Sequence, residues 1–214
     1  MDRRDVVELL ENPTLPEEVV ADAYNSLARM HHWLGDTAAI LNRLRDSHAR
    51  SVLDLGCGHG ALLQEIRREL GVDVIGFDLR PAPESSPVPI LAGDAVADPL
   101  PRADVALAVC LVHHLSEADI VRLIRNVSKS CGRLIVLDPV RHWLPLWLFR
   151  IFVGPFLPPI NVADGATSIR RSYTPRELRR IVDIAVQGTG ARVRHAVAPL
   201  YIRQVIDISW QSDS

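Results

Sequence analysis

The stretch VLDLGCGHG, residues 52–60, sets a carboxylate, Asp54, inside an apolar run and closes it with alternating glycines at Gly56, Gly58 and Gly60. Residues 51–55 read as a buried strand, 61–70 as an amphipathic helix and 72–78 as a second strand. The glycines are then the turn of a strand–helix–strand unit of about 30 residues, whose strands run parallel. Glycine lets a ligand approach bare backbone, and the first turn of the helix behind it offers unpaired N–H groups at a positive dipole end.

The same alternation continues downstream, with strands expected at 88–92, 103–110 and 133–137 and a capped helix at 116–129. Thr174-Pro-Arg-Glu177 is a capping box with proline at the first helical position and opens a helix to about residue 186. Strands at 191–197 and 201–208, joined by Ala198-Pro199-Leu200, are expected to form an antiparallel hairpin. Upstream, Thr14-Leu-Pro-Glu17 fits a second capping box, with a helix to about residue 30 and another over 36–47. Between 143 and 160 the chain is apolar and interrupted by Pro145, Pro155, Pro158 and Pro159, and a run of small and polar residues follows. That segment reads as an insertion, so the expected organisation is an N-terminal helical cap (1–50) and a main domain (51–214) carrying a lid at about 139–173.

Apolar residues make up 48% of the 214 positions and charged residues 23%, an ordinary globular composition. A net charge of −2 lacks the basic field that general nucleic-acid binding requires, so small-molecule partners are expected instead. Cys57, Cys110 and Cys131 show neither CxxC spacing nor a matching histidine cluster, and no disulfide and no metal site is expected. The acidic N-terminus lacks the continuous apolar core of a signal peptide, which reads as cytoplasmic. Arg150 and the prolines exclude a membrane span in 143–160. Peripheral membrane contact stays open, because Arg141 and Arg150 flank that apolar stretch. Oligomeric state is not legible.

Two nucleotide ligands fit the glycine loop. Gly56-x-Gly58-x-x-Ala61 satisfies a dinucleotide pattern, with Asp78 near the expected distance of about 20 residues, which is the reading of an NAD(P)-dependent oxidoreductase. Asp54 argues against it, since a carboxylate just upstream repels pyrophosphate and attracts a cationic group. S-adenosylmethionine carries an ammonium and a sulfonium and no phosphate. Asp78 would accept from both ribose hydroxyls of either nucleoside.

Residues 51–138 resemble the class I S-adenosylmethionine-dependent methyltransferases, in particular the small-molecule group with the methyltransferase type 11 pattern. VLDLGCGHG looks like the glycine-rich first motif, VIGFD (74–78) is similar to the second-strand acid motif, and LAGDA (91–95) resembles the adenine-edge motif. PLPRADVALAVCLVHHL (99–115) resembles the fourth-strand motif ending in His-His-Leu. The resemblance implies an α/β, Rossmann-like doubly wound sheet, mostly parallel with a C-terminal antiparallel hairpin, plus N-terminal helices. It also implies S-adenosylmethionine held by Asp54, Gly56, Cys57, Gly58, Gly60, Asp78, Leu79, Asp94, Ala95 and Leu111, with Asp94 accepting from the adenine amino group.

For the acceptor, His113 and His114 are the candidate general bases, since imidazole titrates near neutrality. An alternative is that they only fix the loop. The Asn-Pro-Pro-Tyr motif that resembles amide or adenine N-methyltransferases is replaced by Cys110-Leu-Val-His113, leaving oxygen, carbon or small-molecule nitrogen acceptors. Tyr24, Trp147, Phe152 and Tyr173 are the candidate substrate contacts, and the arginines between 170 and 180 read as a solvated helix face. A catalytically silent nucleoside-binding module of the same fold is the remaining alternative.

Overall fold

Seven strands form one sheet in the order β3-β2-β1-β4-β5-β7-β6: β1 (Ser51–Leu55), β2 (Asp73–Asp78), β3 (Ile90–Ala92), β4 (Ala103–Val109), β5 (Cys131–Pro139), β6 (Arg192–Val197) and β7 (Arg203–Ser209). The first five are parallel, and β7 runs antiparallel to both β5 and β6. The computed structural model describes residues 1–4, 6–12, 14–83 and 86–210, so residues 211–214 of the expected main domain lie outside the described residues.

Period-two alternation sorts the strand residues onto two buried faces. Leu53, Leu55, Ala106, Ala108, Leu134 and Val136 pack under α4 (Glu117–Val127) and α7 (Pro175–Val186). Val52, Val105, Leu107 and Ile135 pack under α2 (Asp36–Arg45) and α3 (Ala61–Leu70). Because both faces are covered, the central strands read as unbroken apolar runs rather than alternating ones. The strand order reverses between β1 and β4, and a sheet of this kind opens its ligand crevice at the carboxyl ends flanking such a reversal. β7, with Val205, Ile206 and Ile208 buried, takes the inner place beside β5 and leaves the more exposed β6, with Arg192 and Arg194, at the edge. Charged side chains suit an edge that must not recruit another strand.

The capping box at Thr174 forms reciprocally, Thr174 Oγ1 accepting from Glu177 N and Glu177 Oε2 from Thr174 N. The one expected at Thr14 does not. Helix α1 (Glu17–Trp33) starts at a Pro16 cap without a side-chain bond, and Thr14 N and Oγ1 both donate to Asn12 Oδ1. The proline-interrupted insertion is also helical: α5 (Trp143–Leu148), a π-helical turn Phe149–Val153, a 3-10 turn Gly154–Phe156 and α6 (Pro159–Arg171). Its prolines are tolerated because Pro145 and Pro159 fall in first turns, where an N–H has no intrahelical acceptor. The polar run after residue 160 becomes α6 through tertiary contacts. Ala166 and Ile169 pack on Phe149 and Val153. At Gly165 a Cβ would stand 2.4 Å from Phe149 Cζ, so glycine permits that approach. Buried Asn161 donates to Ala23 O, and buried Asp164 accepts from Leu9 N and Leu10 N.

Those last bonds fasten an N-terminal strap that precedes α1 and the helices expected of the N-terminal cap. Arg3 Nε donates to Arg171 O and its Nη2 to His113 O and Leu115 O, and Arg80 Nη2 donates to Leu10 O. The strap thereby crosses α6 and the loop after β4. No helix among the described residues is long and apolar enough to cross a membrane.

Candidate active site

A cavity of about 1040 Å³ opens over the carboxyl ends of β1, β2 and β4, large enough for a nucleoside and a second small molecule. Asp54, Gly56, Cys57, Gly58, Asp78, Leu79, Asp94, Ala95 and Leu111 line it, together with His113, His114, Tyr24 and Phe152. Gly60 does not line it. It sits at the start of α3 with φ +78°, and a Cβ there would stand 2.5 Å from Val88 Cγ2, so it serves the turn and its packing.

The three expected acids occupy different environments. Asp54 is buried at the end of β1, and burial first, then the Asp78 charge, pushes its carboxyl up to about 8. With nothing bound it therefore holds a proton at neutral pH, and a cationic group placed beside it would release that proton. Asp78 ties the loop to β2, its Oδ2 accepting from Gly58 N at 2.8 Å and its Oδ1 from Arg80 N at 2.9 Å. Asp94 Oδ1 accepts from Val96 N within a local turn, so the adenine-edge expectation rests on its other carboxylate oxygen. Burial pushes the Cys57 thiol well up, so Cys57 packs beneath the loop without thiolate chemistry.

The histidine pair is more heavily partnered than the sequence indicated. His113 is buried with Nδ1 3.0 Å from Asp138 Oδ1 and Nε2 3.5 Å from Glu8 Oε1. Burial alone would lower its pKa, but the Asp138 charge and hydrogen bond, with the nearby Glu8 carboxylate, outweigh that and push it up to about 9. Both ring nitrogens of His113 thus face carboxylates, and that pairing favours the charged ring. His114, with Nδ1 2.8 Å from Glu11 Oε1, is pushed below its ordinary value by burial and by the adjacent His113. A third cavity histidine, His31 on α1, has Nδ1 2.7 Å from Asp36 Oδ2. Asp36 is itself paired with Arg203, and burial first, then the Arg203 charge, pushes His31 down to about 4. His31 is thus a neutral imidazole held by one nitrogen, with Nε2 3.9 Å from Cys110 Sγ.

Glu8, Glu11, Asp36 and Asp138 were not singled out in the sequence. Asp138 carried a usable signal, an acid at the carboxyl end of an apolar strand, as at Asp54 and Asp78. Nothing local marks Glu8, which reaches the site only because Ser168 on α6 donates to its Oε1 at 2.7 Å and Asp164 anchors the strap.

The expected substrate contacts divide. Phe152 lines the cavity, and Trp147 packs edge-on against it from outside, ring centroids 6.2 Å apart. Tyr173 does not line the cavity. It is buried in the core, donates to Leu115 O at 2.7 Å and lies under the Arg3 guanidinium. Tyr24 lies over the glycine loop, where a Cβ on Gly58 would stand 2.9 Å from its Cε1. Two arginines depart from the exposed roles expected of them. Arg171 is buried against Glu11, and Arg141, read as flanking an apolar surface, is buried against Glu177.

A family model described as a methyltransferase domain matches residues 29–184. Among solved structures, the methyltransferase domain of bacterial CtHen1-CN is similar at 17% identity and TM-score 0.60, over 81% of this chain and 97% of that one. The plantazolicin methyltransferase BpumL, in complex with a pentazolic desmethylPZN analog and SAH, is similar at 11% identity and TM-score 0.67, over 88% and 91%. Human N-acetylserotonin methyltransferase in complex with SAM is similar at 19% identity and TM-score 0.61, over 99% of this chain and 63% of that one. At these identities the likeness concerns the fold. No protein of curated function matches the chain in sequence.

Proposed function

This chain belongs to the methyltransferase-domain family, and from that premise we propose that it transfers the methyl group of S-adenosylmethionine to a small, apolar or aromatic acceptor bound beside the donor in the same cavity. One observation carries the reading: the carboxylates of Asp54, Asp78 and Asp94 line a single cavity around a glycine loop. Asp54 pairs with the ammonium of the methionine moiety, Asp78 accepts from the ribose hydroxyls, Asp94 accepts from the adenine amino group, and Leu79, Ala95 and Leu111 supply apolar contact. The buried acid at Asp54 supports this donor over a pyrophosphate, and with the family match it sets the oxidoreductase reading aside. Methyl transfer from a sulfonium is an in-line displacement, so alignment in a water-poor site supplies most of the acceleration. Where the acceptor has a proton to lose, His31 is an imidazole lining the cavity that burial and Arg203 keep neutral. Residues 1–50 and 139–173 act as the two halves of a cover.

Calorimetric titration with S-adenosylmethionine and with its demethylated product tests the donor, and absence of binding by both in folded protein removes the proposal. A labelled-methyl screen over phenols, quinones, polyketides and lipids then tests the acceptor class, and incorporation into none of them leaves only silent nucleoside binding. Asp78→Ala is expected to weaken donor binding by about 1.5–3 kcal/mol, through loss of charge-assisted hydrogen bonds, with folding retained. Unchanged affinity in the same titration would take Asp78 out of the ribose site. Phe152→Ala is expected to alter acceptor turnover or selectivity while donor affinity stays within a few fold, and Trp147→Ala to do so more weakly because it acts through Phe152. Parallel loss of donor affinity and turnover in both would make that segment core rather than cover.

A further inference from the structure

Strap and loop together build a constellation that the donor site does not use. His113 Nδ1 is 3.0 Å from Asp138 Oδ1 and His114 Nδ1 is 2.8 Å from Glu11 Oε1, so each ring has one nitrogen held by a carboxylate. The other nitrogens converge on Glu8: His113 Nε2 is 3.5 Å from Oε1 and His114 Nε2 is 3.9 Å from Oε2. One donor atom from each of the three residues lies within 4.8 Å of the others. We propose that Glu8, His113 and His114 form a binding site for one first-row divalent cation, with an open coordination position facing the cavity.

Three features argue for a cation rather than a plain hydrogen-bonded cluster. His113 Nε2 is buried and has no hydrogen-bond partner, since 3.5 Å to Glu8 is too long for one. A buried ring nitrogen left so costs stability, and with the ring's proton on Nδ1 facing Asp138 a metal ion would take up the free lone pair of Nε2. A cation at ordinary zinc–nitrogen and zinc–oxygen lengths spaces tetrahedral ligand atoms about 3.4 Å apart, close to the separations from Glu8. Metal-bound imidazoles nearly always give their second nitrogen to a carboxylate or carbonyl, and both rings do so here. Two imidazoles and one carboxylate suit zinc and its neighbours and leave a position free for substrate or water.

All three residues line the cavity, which gives that free position a use. This step alone rests on the methyl-transfer reading. A hydroxyl or phenol oxygen of the acceptor seated on the cation loses its proton to water more readily. Its electron pair then forms the O–CH3 bond, and the pair of the broken S–CH3 bond stays on sulfur, leaving a neutral thioether. The acceptor class is accordingly an oxygen nucleophile.

Full-length protein stripped by a chelator and titrated calorimetrically with zinc chloride alone is expected to take up one cation per chain. Glu8→Gln, His113→Gln and His114→Gln are each expected to weaken uptake at least tenfold, and His195→Gln, on edge strand β6, to leave it unchanged. Cobalt(II) gives a second readout, a visible absorption band present in the unmutated protein and lost in the three variants. His114 and Glu8 are not packed in the sheet core, so their variants test the site even where His113→Gln fails to fold. Absence of stoichiometric uptake by folded protein, or uptake unchanged in both Glu8→Gln and His114→Gln, overturns the site. S-adenosylmethionine affinity measured on the same samples separates the two readings. Cation uptake without donor binding removes methyl transfer and keeps the site, and donor binding without uptake removes the site alone.

Discussion

Gly58→Val is expected to weaken S-adenosylmethionine binding at least about a hundredfold, or ~2.7 kcal/mol, in a calorimetric titration. Gly58 has φ +55°, a region that a β-branched residue strongly resists. Its Cβ would also stand 2.9 Å from Tyr24 Cε1, so the added side chain would displace α1 or push the loop into the space of the ligand. The Gly58 N–H that donates to Asp78 would shift with it, loosening the acid expected to hold the ribose. Gly58→Ala carries the backbone strain with less bulk and is expected to fall between the two proteins. Circular dichroism on both variants separates a lost site from a lost fold. A folded valine variant that binds like the parent would show that the loop does not touch the donor.

The second large effect is a pH dependence set by Asp54. Without ligand its carboxyl is pushed up to about 8, while the donor's ammonium prefers the carboxylate. Binding below that pH must therefore expel a proton. Donor affinity should rise by about tenfold per pH unit toward pH 8, with proton release falling to zero there. It should turn over above that, as α-ammonium groups themselves lose protons near 8. Titrations in two buffers of different ionisation enthalpy count the protons. Asp54→Asn is expected to abolish the slope and to reduce affinity most at the upper end of the range. A slope unchanged in Asp54→Asn would assign the proton elsewhere. The same shift acts on stability with the opposite sign. For a raised carboxyl the contribution is fully present below the unfolded value of 3.8 and is lost as pH rises to about 8. Asp54→Asn should accordingly flatten the fall in the thermal midpoint of the unliganded protein over that window.

Strand ends and the acids on them were legible because they are local. Asp54 and Asp78 stand where an apolar run stops, and the glycines between them announce a turn. Asp138 obeys the same rule and was available on the same grounds. The helices of the lid are hidden in the sequence by its prolines, although Pro145 and Pro159 fall in first turns, where proline is tolerated. Residues 161–171 gave no apolar stripe strong enough to announce α6. That helix forms because Gly165 admits Phe149, Asp164 caps the strap and Asn161 reaches α1.

By itself the sequence determined the alternation of strands and helices, the parallel run of β1 to β5, the closing hairpin and the glycine loop with its acids. Each of these follows from burial periodicity and backbone constraints within a few residues. Tertiary structure alone decided that β7 rather than β6 lies beside β5, that Tyr173 packs in the core while Phe152 faces the cavity, and that Glu8 and Glu11 meet His113 and His114. It also decided which imidazoles hold a proton. A histidine's charge depends on its burial and on carboxylates or guanidinium groups brought in by other elements, Asp138 and Glu8 for His113 and Arg203 for His31. Local sequence patterns carry no record of those distances.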